Sequence, residues 1–145
     1  MFLSLFVHEV FHLIIGILLG LALFKITHKK KVFLWVILAS LLIDLDHLVD
    51  YFLAFGFTFN PFVIPAGEYF DLNKKALVLF HSWEVALILL ILGLIKSTRF
   101  QIIFLSVGAG MLGHLLVDQI TNTPPWDFFF ILVRISHEFL QPYYW

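Results

Sequence analysis

The segment Leu41–Tyr51, LLIDLDHLVDY, sets Asp44, Asp46, His47 and Asp50 at the end of the apolar run Val32–Ser40. Ionisable side chains are costly in so apolar a stretch, and those that persist there usually meet partners or an ion. At 100° per residue, Asp46, His47 and Asp50 fall within about a quarter-turn and Asp44 about 60° beyond His47, so one helix face is expected to present all four. Such a face can hold a metal ion.

The composition shows how apolar the surroundings are. Of 145 residues, 61% are hydrophobic and 13% charged, with a mean hydropathy of +0.99. No soluble domain of this length has interior enough to hide that much apolar surface, so the expected class is an all-α integral membrane protein. Net charge is −1 and the basic residues are scattered in short loops, which argues against nucleic acid as a partner. Cysteine is absent, so a metal here must be bound by imidazole and carboxylate. The N-terminus lacks a basic region and a small-residue cleavage site, and the first helix is expected to be retained.

Four membrane spans are expected, at about 3–24, 32–55, 76–95 and 100–120, in a single domain covering 1–145. The segment 56–75, rich in aromatics and carrying Pro61, Pro65 and Gly67, reads as a loop at headgroup level. Gly108, Ala109, Gly110 and Gly113 mark close helix packing in the fourth span. Residues 126–140 are too short to span and read as a fifth, interfacial or re-entrant helix. The fold expected is thus a four-transmembrane-helix bundle plus a short C-terminal helix.

Lys25 with Lys29–Lys31, and Lys96 with Arg99, outweigh Lys74 and Lys75, which puts both termini on the non-cytoplasmic side. From the basic residue that bounds each span, His12, His47, His81 and His114 lie about 20–24 Å along the helix. All four spans therefore bring their ionisable residues to one layer in the outer half of the bilayer. The pairs His47/Asp50, His81/Glu84 and His114/Asp118 are three or four residues apart, which turns each pair the same way. Convergent histidine and carboxylate is what a zinc or two-metal site requires, although any one of these residues alone can simply bond across a helix pair.

HEVFH, residues 8–12, matches H-E-x-x-H: His8 and His12 as zinc ligands and Glu9 as base, an intramembrane metalloprotease if Asp46 or Asp118 supplies a third ligand. That reading leaves His47, His81 and His114 without a role. Thr121-Asn122-Thr123, directly after Asp118, is a polar loop suited to substrate contact. Arg134, His137 and Glu138 offer either a phosphate-binding group, a completion of a metal shell, or a solvated helix face.

Taken in order, FHLIIGILLG with His12, LLIDLDH with Asp44, Asp46 and His47, FHSW with His81, and GHLLVDQITNTPP with His114 and Asp118 resemble the predicted membrane-bound metal-dependent hydrolases of the YdjM family. That family is itself considered similar to the all-α zinc-dependent phospholipase C and P1 nuclease group. The resemblance covers roughly residues 10–130. It implies His12, Asp46, His81, His114 and Asp118 as metal ligands, with Asp44 and His47 completing or supporting the shell. His8 and Glu9 fall outside the matching residues, and the adjacent His137 and Glu138 depart from the spacing of the soluble enzymes.

The function expected is therefore that of a membrane-embedded hydrolase of a lipid phosphoester, using one or two zinc or other divalent ions. Asp44 or Glu84 would move the proton, and Thr121, Asn122, Arg134 and His137 would contact the substrate. The rivals are the protease, an ion-transporting bundle and a non-catalytic protein stapled by metal. Leu13–Phe24 and Leu87–Ile95 are almost wholly apolar, which counts against a polar path through the bilayer.

Overall fold

In the computed structural model, residues 2–58, 60, 68–95 and 100–142 are described, and among them the regular structure is entirely helical. Helix α1 is Phe2–Thr27 and α2 is Lys30–Leu42, followed by a 3₁₀ turn, Ile43–Asp46, and α3, His47–Phe55. Then come α4 (Glu68–Asn73), α5 (Trp83–Leu94), α6 (Gln101–Thr121) and α7 (Ile131–Ser136). Residues 96–99, and residues 59 and 61–67 of the expected headgroup loop, lie outside the described residues. The described part of that loop includes α4, a helix in place of an irregular segment.

Three helical runs are long and apolar enough to cross a membrane: Phe6–Thr27, Lys30–Phe55 and Gln101–Thr121. The expected third span is the exception. Its helix, α5, has 12 residues, about 18 Å against a hydrocarbon core of about 30 Å. It begins at Trp83 because Ser82 is its N-cap, the hydroxyl accepting the backbone N–H of Val85 at 3.3 Å. Residues 76–82 are therefore a loop. The expected C-terminal helix is likewise shorter, six residues at Ile131–Ser136.

Helix α6 is the hub, packing on α5, α2 and α1. It presents a different glycine to each. A Cβ on Gly108 would meet Leu90 N at 2.8 Å on α5, one on Gly110 would meet Val36 O at 2.5 Å on α2, and one on Gly113 would meet Leu19 Cδ1 at 2.6 Å on α1. Side chains this small let backbones approach closely where lipid gives no hydrophobic drive for association. Ile43, Ala86, Met111, Leu115 and Phe129 form the apolar core beneath the polar cluster. Large apolar side chains such as Phe11, Leu18, Leu21, Leu34, Ile88, Ile91 and Leu116 are exposed around the outside, as a lipid-facing surface requires.

The helix ends have local causes. His28, at φ 56°, closes α1 and turns the chain into α2. Helix α6 stops where Thr123, at φ 48°, precedes Pro124 and Pro125.

Candidate metal centre

Five imidazoles and two carboxylates converge at one end of the bundle. His8 and His12 come from α1, Asp44 from the 3₁₀ turn, His47 from the start of α3, His81 from the loop before α5, and His114 and Asp118 from α6. Four overlapping groups have their donor atoms within 4.8 Å of one another: His8/His12/Asp118, His12/Asp44/His114, Asp44/His47/His81 and His81/His114/Asp118. His12, His81, His114 and Asp118 are buried. Asp44, His47 and His8 form the partly exposed edge.

Four of the five imidazoles are held from behind, whereas Nδ1 of His12 is buried without a hydrogen-bond partner among the described residues. Nδ1 of His114 lies 2.9 Å from the backbone carbonyl of Ser40, which can only accept, so Nδ1 carries the proton and Nε2 is left with its lone pair facing the cluster. Nδ1 of His81 lies 3.1 Å from the Asp46 carboxylate, with the same consequence. Nδ1 of His8 lies 3.1 Å from Oγ1 of Thr121, whose single proton goes to Val117 O at 2.8 Å, so this hydroxyl accepts from His8. Nδ1 of His47 lies 3.0 Å from the hydroxyl of buried Tyr69. Burial raises the Tyr69 phenol, with the charges of Asp50 and Asp44 adding to it, so the hydroxyl stays protonated and can donate to Nδ1 or accept from it; this contact orients the His47 ring without fixing its tautomer. An oxygen behind one ring nitrogen and the other directed inward is the usual environment of a metal-ligating histidine.

The inward atoms crowd one another. Nε2 of His81 and Nε2 of His114 are 3.1 Å apart, and both lie near Asp44 Oδ1, at 3.2 and 3.3 Å, and near Asp118 Oδ2, at 3.4 and 3.1 Å. Lone pairs facing lone pairs in a buried place repel unless a cation lies between them. Around an ion with ligand bonds of about 2.0–2.2 Å, neighbouring donor atoms sit about 3.0–3.6 Å apart. The residues present fit a bound metal ion.

The 3₁₀ turn changes the expected sharing of one face. Asp44 turns into the cluster, whereas Asp46 and Asp50 turn to the loop 76–82. Asp46 accepts the N–H of Phe80 at 2.7 Å besides that of His81 Nδ1, and Asp50 accepts the N–H groups of Leu77 and Val78 at 2.8 and 3.0 Å. Asp46, expected as a ligand, thus stands behind a ligand and joins none of the four groups.

Arg134 holds the same loop from the other side. Its Nη1 donates to Leu77 O and to Val78 O, the latter at 2.8 Å, and its Nη2 donates to His81 O at 2.8 Å. Fully buried, it does not face the cluster, contrary to its expected part in substrate contact. Burial lowers its pKa and the charges of Asp46, Glu84 and Asp50 oppose that. Val78 has φ 27°, a costly conformation for a β-branched residue, and is held with its N–H on Asp50 and its C=O on Arg134. His81 therefore reaches the cluster from a loop clamped on both edges.

Glu84 is also directed elsewhere. Its carboxylate accepts Ile131 N at 2.9 Å, Leu132 N at 3.2 Å and the Ser82 hydroxyl at 2.7 Å, tying the start of α7 to the start of α5. His137 is the C-cap of α7 and joins none of the four groups. Thr121 and Asn122 do border the centre, the first behind His8 and the second donating to Asp118 Oδ1 at 3.3 Å.

Sequence reasoning passed over two supports. Ser40, whose hydroxyl donates to His12 O at 2.6 Å while its carbonyl accepts from His114, joins α1, α2 and α6. A lone serine in the run VILASLL was its one visible sign. Tyr69 lies in a stretch whose aromatics all read as interface anchors. No family model, curated protein or solved structure matches the chain.

Proposed function

We propose that the protein is a membrane-embedded, metal-dependent hydrolase of a lipid phosphoester. The observation that carries this reading is the inward Nε2 array of His47, His81 and His114, each held at Nδ1, around the carboxylate oxygens of Asp44 and Asp118. His81, His114, Asp44 and Asp118 would hold the ion, His47 would complete the shell from the partly exposed edge, and Asp46 would orient His81. A zinc or similar divalent ion bound there would activate water near neutral pH and would supply positive charge against the oxygens of a phosphoryl group.

The chain's own residues do the rest. Asp44, partly exposed and turned to the cluster by Oδ1, accepts the proton through its other oxygen, a role that Glu84 cannot fill while its carboxylate is held by α7. Phe11, Leu45 and Phe80, exposed on the segments that carry His12, Asp44 and His81, suit a substrate that keeps its acyl part in lipid. The reaction class itself rests on the resemblance to the YdjM family, an argument by analogy.

A specific observation favours one other reading. His8 and His12 meet Asp118 as H-E-x-x-H and a third ligand from a distant helix would, and Glu9 lies within electrostatic reach of His8 and Asp44. This is the intramembrane metalloprotease. Purified protein in phospholipid vesicles decides between them. The hydrolase releases a water-soluble phosphate-containing product and loses this activity in Asp118→Ala, while Glu9→Gln has a modest effect. The protease cleaves a membrane-spanning peptide instead and loses several orders of magnitude in Glu9→Gln.

A further inference from the structure

The end of the bundle away from the cluster has a different chemistry. Lys25 lies in the last turns of α1, and Lys29, Lys30 and Lys31 open α2, all four exposed. Residues 10–43, 85–95 and 100–117, which lead to that end, contain no acidic residue, so no carboxylate of these segments faces the four ammonium groups. Beside them is a cavity of about 320 Å³ between α1 and α2, lined by Leu21, Phe24, Phe33 and Lys30. The two helices are close at Gly16 and Gly20, where a Cβ would meet Ser40 at 3.0 Å and Phe33 Cδ2 at 2.9 Å. The cavity lies beyond Gly20, toward the turn at His28.

We propose that this cavity is a site for one anionic phospholipid, with an acyl chain on Leu21, Phe24 and Phe33 and the phosphate on the Lys30 ammonium. The volume is at the lower end of the range of about 300–1,000 Å³ for small-molecule sites, which is room for part of one acyl chain. The depth also fits. The apolar run Phe6–Thr27 ends and Lys30–Phe55 begins at this turn, so the lysines stand where hydrocarbon gives way to headgroups, and Leu21 lies four residues, about 6 Å, deeper than Lys25. Lys30 joins the two parts, its stem along the apolar lining and its ammonium toward the polar layer. An apolar groove alone would accept any acyl chain, whereas four ammonium charges at its mouth select a headgroup of net negative charge. A second copy seated through the same face would set four like charges against four, which rules it out as the occupant. Phe24 and His12 are separated by about 18 Å of α1, so the site is distinct from the cluster and independent of the reaction proposed there.

The test uses the full-length protein in a neutral detergent, to which phosphatidylglycerol or phosphatidylcholine with the same acyl chains is added. Native mass spectrometry counts the lipid bound, and thermal unfolding reads the stabilisation. Wild type should hold one phosphatidylglycerol per chain about tenfold more tightly than phosphatidylcholine, with a raised Tm. Lys30→Gln should lower phosphatidylglycerol affinity about fivefold, and Lys30→Arg should keep it. Leu21→Trp, which fills the cavity and leaves every charge in place, should weaken binding as well; positions 21 and 30 are both exposed, so neither change disturbs the buried core. Equal retention of the two lipids, or unchanged affinity in either Lys30→Gln or Leu21→Trp, would overturn the proposal. An equal rise in Tm with soluble glycerol phosphate would also overturn it, because the lysines would then bind an anion without the cavity.

Discussion

Asp46 meets His81 at Nδ1, 3.1 Å away, on the side of the ring opposite the cluster. The two residues are thus coupled as support and ligand. Asp46→Asn keeps the shape but removes the charge that fixes the tautomer, and should lower metal affinity about 10- to 100-fold with little change in the number of sites. Competition with a chromophoric chelator measures it. An affinity equal to wild type would mean that the Asp46 contact does not tune His81.

Arg134 makes the loop 76–82 a second target. Replacing this fully buried guanidinium by alanine leaves the carbonyls of Leu77, Val78 and His81 without their donor and Asp46 and Asp50 without a nearby positive charge. The expected loss is about 3 kcal/mol or more in stability, with weakened metal binding. Thermal unfolding in detergent checks it. A stable Arg134→Ala protein that binds metal normally but has a raised KM would restore the substrate-contact role.

Gly110 tests the packing that carries His114. A Cβ there meets the backbone of α2 at Val36 O, and α2 has no flexible side chain at that point to give way. Gly110→Ala should cost about 1–3 kcal/mol and should also weaken metal binding, since His114 lies one turn further on and its Nδ1 acceptor, Ser40, is on the displaced helix. Equilibrium unfolding together with metal titration separates the two effects. Unchanged stability would show that α2 and α6 can separate without loss.

Orientation is accessible because the chain has no cysteine. Lys29→Cys and Asp71→Cys, both at exposed positions, give single reactive thiols. From the basic-residue bias, an impermeant reagent applied to intact cells should label Cys at 71 and spare Cys at 29. The opposite pattern would turn the cluster toward the cytoplasm.

Much of the cluster is legible in the sequence because histidines and aspartates are conspicuous among apolar residues. His12, Asp44, His47, His81, His114 and Asp118 are brought together, although His81 arrives on the loop before α5 and not along a span. Periodicity misleads where the backbone leaves the α-helix. The 100° rule assumes one helix through Leu41–Tyr51, and the 3₁₀ turn at Ile43–Asp46 sends Asp44 one way and Asp46 and Asp50 another. The third span is shorter than hydropathy suggests because Ala76–Phe80 is as apolar as the α5 helix itself, and hydropathy cannot see that Ser82 caps a helix starting at Trp83. Glu84 and Arg134 are misplaced for a shared reason. An ionisable residue near a site reads as chemistry, and sequence alone does not reveal that backbone groups of α7 and of the loop 76–82 claim it first.

The three glycines of α6 meet their neighbours at successive heights on one rod. Gly108 faces α5, Gly110 faces α2 and Gly113 faces α1. The first two contacts are to backbone, which can hardly give way, and the third is to the end of the flexible Leu19 side chain, which can. The contacts of α5 and α2 therefore act as two fulcrums on the same side of the cluster along α6, with His81 and Asp44 carried beyond them. A tilt of α2 or α5 on these contacts would change the spacing of the inward nitrogens, so the packing of the helices and the geometry of the cluster are set together.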